Sequence, residues 1–517
     1  MNHKIWFMSV IIVLMLVPGS IAAPSTTGTS GTTLLVNGKP TFIIGTLGIC
    51  YVGGTLIEDC QSSINNNKNT SFDIISLKFK SQFISSGYQQ QYQSNNVFTT
   101  YPFGWAVLGQ WTPGMAWFNS LRDPSSGVNG VSIADQSNFF GYHIDEPDGA
   151  NNVVTRDQLV DLYNQMHSKD TTHVVWVNIC CDGAPNTPGI HGLTAYKNTA
   201  DVLSWDTYPY SVQFCCWDLP DSLYGWEHIA YVQIMDSATS GLVDLDSFGK
   251  PVLTVIQANA INEGETRVIP DKMIRANTYM AIAMGVDGIL LWQYNIYIIG
   301  TTRTGLVANK SKNAYVQQLA GELKSLEHVL LLPRTAYSWQ FHKDFISITF
   351  SNNPSKIVSK AGNPLPTARY ALNYRLMKDT TTNKYYLIVV NKDPNPVSTT
   401  ISIQALRGSG TMNATTIGFA GTGAGAPGRK IKFTDGTSPL ETYEGYASVI
   451  YEIGASGINV SPYDVDENGI VDVNDLILIG QHLNEVVPLP YPRYDVNKNS
   501  RVNIEDVSLV AKHFGEH

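Results

Sequence analysis

The sequence predicts a multidomain chain: a (β/α)8 barrel, then an all-β sandwich, then a small α-helical module built from two loop–helix repeats. Three observations carry this reading. Short β-branched runs alternate with amphipathic helical stretches from residue 34 to 335; turn-punctuated strands without helices fill 336–453; and a twelve-residue acidic pattern occurs twice in 460–517. A chain of 517 residues is also too long for one hydrophobic core.

The N-terminus reads as a processing segment. Lys4 precedes an apolar run at 5–17, followed by Pro18, Gly19 and the small residues Ser20, Ala22 and Ala23, the layout of a secretory signal peptide cleaved after Ala22. The run is short for a bilayer crossing, and no later segment is apolar enough to span one. Residues 23–33, rich in Ser, Thr and Gly, read as a flexible leader. Secretion suits the six cysteines, Cys50, Cys60, Cys180, Cys181, Cys215 and Cys216, whose spacing matches no zinc site and fits disulfides. Sequons stand at Asn69, Asn309, Asn413 and Asn459. The balance of 34 basic against 43 acidic residues, with no basic run, excludes a nucleic-acid partner.

In the barrel region the pattern predicts strands at 42–47, 72–77, 105–108, 139–144, 174–179, 202–205, 252–256 and 288–292, with helices clearest at 156–167, 270–284 and 313–328. Function in such a barrel sits at the C-terminal ends of the strands. Those ends hold Gln110 and Trp111; His143, Asp145 and Glu146; Asn178; Trp205, Asp206 and Tyr208; Gln257 and Asn259; and Trp292, Gln293 and Tyr294. Aromatic faces stack on pyranose rings while carboxylates and amides bond hydroxyls, so this set predicts a sugar cleft with Trp111, His143, Asn178, Trp205, Tyr208, Gln257, Trp292 and Tyr294 in contact with carbohydrate. No cofactor is expected in the barrel.

The C-terminal pattern is the most specific. Asp464, Asp466, Asn468, Asp472 and Asp475 occupy positions 1, 3, 5, 9 and 12 of a loop, with Gly469 at the sharp turn and the Ile470 carbonyl at position 7. Asp495, Asn497, Asn499, Asn503 and Asp506 repeat it 31 residues later, with the Arg501 carbonyl at position 7 and Ser500 in place of the glycine. A hard divalent cation requires this many oxygens, so two Ca2+ sites are expected, the second weaker because two of its ligands are charged against four in the first. Each loop runs into an amphipathic helix, at 473–483 and 505–514.

Loop–helix, linker, loop–helix over 460–517, with no helix before the first loop and Asp at position 12, resembles a type I dockerin. The resemblance implies docking onto a cohesin module of a scaffold or cell-surface protein. It also implies partner selection by positions 10 and 11 of each loop: Val473, Asn474, Ile504 and Glu505. These are not the hydroxyl pair common in clostridial dockerins, which implies a non-standard cohesin.

The barrel resembles a glycoside hydrolase. Its opening, Leu35-Val36-Asn37-Gly38-Lys39-Pro40, is similar to the start of many such enzymes, and Asp145-Glu146-Pro147 resembles the Asn-Glu-Pro of clan A hydrolases, whose glutamate is the general acid/base. The resemblance makes Glu146 the proton donor to the leaving oxygen, with a raised pKa. It breaks at the seventh strand, where the clan's nucleophilic glutamate is replaced by Gln257, and an amide cannot serve. Three readings stay open. Another carboxylate acts, Asp206 being best placed and Glu263 or Glu265 following; a retaining pair then needs carboxyls roughly 5 Å apart and an inverting pair more. Alternatively Asp145-Glu146 is similar to the adjacent pair of β-hexosaminidases, where the substrate's N-acetyl group attacks and the Asp orients it. In the third reading the barrel is a non-catalytic glycan-binding or structural surface domain.

In 336–453 strands are expected at 347–350, 370–377, 385–391, 398–403, 431–434 and 447–453. The segment 441–452 resembles the last strands of the sandwich that follows many glycosidase barrels, where it is structural. The Gly-rich stretch 418–428 precedes no helix and reads as a loop, and 454–459 reads as a linker.

Overall fold

A computed structural model describes residues 24–49, 72–77, 98–103, 112–127, 130–147, 155–179, 195–206, 249–258, 269–292, 297–299, 302–304, 310–337, 348–358, 367–418, 426–454, 463–465, 471–487 and 492–516. All six cysteines lie outside these residues.

The chain begins with a three-stranded antiparallel sheet of β1 (Thr27–Ser30), β2 (Thr33–Val36) and β3 (Lys39–Pro40). This corrects the expectation of a flexible leader. Ser25 and Thr27 are buried, and their hydroxyls donate to the carbonyls of Phe139 at 2.5 Å and Phe140 at 2.6 Å. Those bonds hold a polar segment that has little apolar surface to bury.

Eight strands then close a parallel barrel: β4 (Ile43–Ile49), β5 (Ile74–Leu77), β6 (Phe98–Phe103), β7 (Phe139–Asp145), β8 (Val174–Ile179), β9 (Val202–Asp206), β10 (Val252–Gln257) and β11 (Gly288–Trp292). Seven coincide with the expected strands. The third does not: β6 precedes the expected 105–108 segment, which lies outside the described residues. Pro102 inside β6 masked it as a strand, because proline lacks the donor a ladder uses. The barrel helices described are α1 (Thr112–Arg122), α2 (Arg156–Lys169), α3 (Asp271–Met284) and α4 (Lys310–Ser325), followed by the short α5 (Glu327–Leu330). Helix α2 starts on a Thr155–Gln158 capping box, and α3 stops at Gly285, in left-handed conformation.

Alternation along the strands divides the core in two. Val174, Trp176, Val202, Leu253, Val255 and Leu290 fill the lumen, and the β2 residues Leu34 and Val36 plug it from below. The intervening Val175, Val177, Leu203, Ile256 and Ile289 face the helices. At the lower rim, three aspartates that immediately precede a strand accept the backbone N–H of the preceding strand. Ile44 donates to Asp73 at 3.1 Å, Val175 to Asp201 at 2.9 Å and Val252 to Asp287 at 2.9 Å. Each satisfies a donor at the end of the ladder.

A short hairpin, β12 (Tyr297–Ile299) and β13 (Thr302–Thr304), follows the barrel strands. Beyond α5 the chain becomes all-β. Strands β14 (Arg334–Tyr337), β18 (Leu372–Asp379), β19 (Lys384–Asn391), β25 (Ser448–Gly454), β22 (Thr411–Ile417) and β23 (Lys430–Thr434) form one antiparallel sheet in that order. The pairs β15 (Ile348–Phe350) with β21 (Ile401–Ile403), β16 (Ser355–Val358) with β17 (Thr367–Tyr370), and β20 (Val397–Thr399) with β24 (Glu441–Tyr443) form three further two-stranded antiparallel sheets. On β19, Leu387 and Val389 pack with Ile401, Ile403 and Tyr443, while Tyr386, Ile388 and Val390 join the core containing α3. Arg375 reinforces that second contact by donating to the carbonyls of Ile282, at 2.9 Å, and Leu330. Asn413, one of the sequons, is exposed on β22.

The C-terminal module contains α6 (Val473–Gln481) and α7 (Ile504–Lys512) around a core of Val465, Val471, Ile479, Val487, Val502 and Val510. No helix among the described residues is long and apolar enough to cross a membrane.

Asp287 lines a 270 Å3 cavity under the barrel with Arg375, Thr33 and Phe42. Burial pushes its carboxyl up to about 8 from an ordinary 3.8, against the opposing pull of the Val252 N–H and Arg375. The folded state thus holds a proton that the unfolded chain releases, and this group lowers stability as pH rises through that interval. Asp287→Asn should gain stability relative to the wild type steadily from about pH 5 to about pH 8, read by urea unfolding. A difference that stays flat with pH would show that Asp287 is ionised in the fold.

Candidate functional site

The upper end of the lumen owes its chemistry to a break in alternation. Thr99 of β6 pairs with Phe139 and Thr100 with Gly141, so Phe140 is an extra residue in β7. Phe140 packs into the lumen; Tyr142, two residues on, packs outside. The bulge therefore reverses the parity and brings His143 and Asp145 to the inner face. Gly141 is required at the bulge, because a Cβ there would collide with the Val174 carbonyl oxygen. Tyr142 is anchored outside by donating to Asp170 at 2.7 Å, and Arg122 pairs with the same carboxylate at 2.8 Å. Burial alone would raise the Asp170 pKa, but hydrogen bonds and charge from His173, with the Tyr142 and Thr172 hydroxyls, hold it well below the usual carboxylate range.

Inside, the His143 ring lies flat on Trp176, centroids 3.7 Å apart, with Nε2 3.6 Å from Asp145 Oδ1. A directed chain of donors crosses three strands. Trp176 Nε1 donates to Ser204 Oγ at 2.7 Å, Ser204 Oγ to Asn178 Oδ1 at 2.6 Å, and Asn178 Nδ2 to Asp145 Oδ1 at 3.1 Å. Every bond points the same way, so each polarises the next and the chain ends on a carboxylate oxygen. Asp145 is thereby fixed in orientation through Oδ1.

Glu146 follows at the rim. Its backbone N–H donates to the Asn178 carbonyl at 2.9 Å and its φ is 49°, a left-handed conformation that a side chain with Cβ adopts at a cost of about 1–2 kcal/mol. The turn ends β7 and leaves Glu146 partly exposed beside the Asp145 network.

Other expected cleft residues are distributed differently. Gln257 is buried and shares the lumenal parity of Leu253 and Val255, and Trp292 packs against the same lumenal cluster. Trp205 is a correction: it has the parity of Leu203 and packs in the barrel–helix layer, buried away from the lumen. Asp206 ends β9 opposite Val255. Trp111, Tyr208, Tyr294, Glu263 and Glu265 lie outside the described residues. Sequence reasoning missed Trp176 and Ser204. Both stand at lumenal positions, Ser204 as a polar break in an apolar run, and that parity was the available signal.

In the second acidic loop, Asp495 and Asp506 are buried and wrapped by backbone donors. Asn499 and Ser500 donate to the two oxygens of Asp495 at 3.1 and 3.0 Å; Asn497 and Asn503 donate to those of Asp506 at 3.1 and 2.8 Å. Asn503 caps α7. Ser500 takes the turn with φ 71°. In the first loop Asp464 and Asp475 are likewise buried, Asp475 accepts from Val465 and Asp472, and Asp472 caps α6. Asp466, Asn468 and Ile470 lie outside the described residues, and Arg501 of the second loop is exposed. Buried carboxylates, with amide oxygens at the intervening positions of the second loop, fit a hard cation such as Ca2+, since burying this charge without a counterion is costly. Val473, Asn474, Ile504 and Glu505 are exposed at the helix starts, the two apolar ones at 54% and 68%.

Residues 462–515 match the dockerin type I domain, and the chain ends in such a domain, a calcium-binding class that docks onto cohesins. None of the curated proteins compared with the chain matches it. Among solved structures it is similar to a β-glucuronidase from Parabacteroides merdae, with 10% identity, TM-score 0.38, and 83% of this chain on 61% of that one. The chain thus spans less than two thirds of that relative. It is also similar to a maltogenic α-amylase from Thermotoga neapolitana (9% identity, TM-score 0.45, 80% of this chain and 98% of that one). A third is a family 51 α-L-arabinofuranosidase from Bifidobacterium longum (11% identity, TM-score 0.44, 83% and 99%).

Cation binding restricted to the folded module stabilises it by about 2.7 kcal/mol per site at a hundredfold excess over Kd. Adding EDTA to the full chain should therefore lower the melting of the 463–516 module and leave the barrel transition in place, read by calorimetry. An unchanged thermogram would remove calcium from the account of this module.

Proposed function

We propose that the chain is a secreted protein whose barrel hydrolyses a polysaccharide or glycoconjugate and whose dockerin attaches it to a cohesin-bearing scaffold or cell surface. Glu146 is the general acid: it protonates the glycosidic oxygen as the bond to the anomeric carbon breaks. The observation that carries this is its left-handed backbone at the end of β7, beside an Asp145 held by a directed hydrogen-bond chain. Strain of that kind is retained where function requires it.

Asp145 orients. With one oxygen fixed by Asn178, its charge either stabilises the developing oxocarbenium ion or positions a substrate acetamide. Asp206 is the second carboxylate where the substrate brings no acetamide, and it then attacks or activates water at the anomeric carbon. Trp292, His143, Asn178 and Gln257 line the sugar site, joined by Trp111, Tyr208 and Tyr294. The all-β region is a sandwich that supports the barrel through α3. The dockerin holds two Ca2+ ions, one per loop, and Val473, Asn474, Ile504 and Glu505 form the cohesin-facing surface. A signal peptide at 1–22 is removed on export.

A second reading has one observation in its favour. The buried amide Gln257 stands at the seventh strand end, which suits a glycan-binding barrel without hydrolysis. A release assay over a glycan panel, including N-acetylhexosamine substrates, separates the two. Glu146→Gln should cut activity by about a hundred- to ten-thousandfold, the usual worth of a general acid. Loss of activity together with a preference for N-acetyl substrates would assign the acetamide route. No release by the wild type, or equal release by both proteins, would favour the binding role.

A further inference from the structure

The second calcium loop brings two formal charges to the cation, from Asp495 and Asp506; its remaining side-chain ligands are Asn497, Asn499 and Asn503. A neutral amide is a serviceable ligand only if its oxygen, not its nitrogen, is turned to the site. The structure contains a device that enforces this. Asn497 Nδ2 and Asn499 Nδ2 both donate to Oε2 of Glu505, at 3.2 and 3.3 Å. On the opposite side, Asn497 Oδ1 accepts the Asn499 N–H at 3.0 Å and Asn499 Oδ1 accepts the Arg501 N–H at 2.9 Å. The backbone donors and the carboxylate agree on the same amide orientation. Each Oδ1 is left with a second lone pair for a cation.

We propose that Glu505 is a positioning residue of the second calcium site, locking the Asn497 and Asn499 amides oxygen-inward and adding negative charge to a ligand set that carries only two aspartates. This rests on the two-ion reading given above. It gives a second role to a side chain whose place in the loop also points to partner choice. Among the described residues the first loop shows no counterpart. Position 11 there is Asn474, whose Nδ2 donates instead to Asp472 at 3.3 Å, and that loop already carries four aspartates. Charge and orientation supplied from outside the ligand shell commonly change metal affinity ten- to a hundredfold. Here one carboxylate provides both.

The test is a calcium titration of the full chain, stripped with EDTA and desalted, by calorimetry without any partner. Asp506→Ala identifies the step belonging to the second loop. Glu505→Ala should weaken that step about tenfold or more and leave the other unchanged; Glu505→Gln, which can still accept from the amides but carries no charge, should fall between. Melting in EDTA should be the same for all Glu505 variants, while melting in calcium should be lower for Glu505→Ala. A general structural role would lower both. A second-loop Kd within twofold of the wild type in Glu505→Ala, or an equal loss of melting temperature with and without calcium, would overturn the proposal. A wild-type chain that binds one ion or none would instead overturn the two-ion reading beneath it.

Discussion

The chemistry of the barrel depends on one extra residue. Without Phe140 bulging from β7, strict alternation would turn Tyr142 into the lumen and His143 and Asp145 out against the helices. The bulge is held from both sides. Gly141 lets the backbone close on Val174, and outside the barrel the Tyr142 hydroxyl is tied to an Asp170 that Arg122 and His173 keep ionised. A tyrosine with that anchor cannot rotate inward without leaving a buried carboxylate short of a donor. The outer anchor therefore fixes the inner parity. The Trp176–Ser204–Asn178–Asp145 chain and the backbone turn at Glu146 both follow from it.

The barrel separates this polar network from its own stabilisation. The Asp73, Asp201 and Asp287 clasps and the β2 plug lie at the lower end, where each carboxyl group accepts from a ladder donor. The upper end carries a partly exposed glutamate in an unfavourable backbone conformation. Stability placed at one end of the strands allows strain at the other. The C-terminal module uses a different economy, a near-exact internal twofold. Val471 exchanges backbone hydrogen bonds with Gly515 and Glu516 behind the second helix, and Val502 does the same with Asn484 and Glu485 behind the first. Tyr463 stacks on His513 and Tyr494 on His482 in the same reciprocal sense, at 3.5 and 3.8 Å. Each acidic loop is braced by the other helix end, so neither loop–helix segment is a complete unit alone.

Much of the fold was legible because local patterning agreed with the tertiary outcome. The runs at 174–179 and 288–292 became strands with those very bounds, being β-branched or apolar, short and flanked by turns. The acidic loops were legible for a different reason: a hard cation dictates residue type at fixed intervals, and no packing context can alter that. What escaped was decided at a distance. The 23–33 segment looks flexible, yet its hydroxyls meet carbonyls more than a hundred residues away. Strand β6 carries a proline, and β22 alternates small polar and apolar residues too weakly to stand out. Trp205 looked like a cleft residue because it neighbours Asp206, but a strand sends neighbours to opposite faces.

The same parity argument bears on the missing carboxylate of the seventh strand. Gln257 has the position from which a nucleophile would reach the cleft, and it is buried rather than turned away. A glutamine there keeps the shape of a glutamate while replacing one acceptor oxygen by an amide donor and removing the charge. With Asp145 already the terminus of a donor chain, a second ionised group at Gln257 would raise the cost of desolvating the lumen. In the proposed hydrolase, such a site would favour a reaction in which the substrate supplies its own nucleophile or in which the second carboxylate stands farther out. The proposed acid at Glu146 serves either route, since the proton it delivers is the same in both.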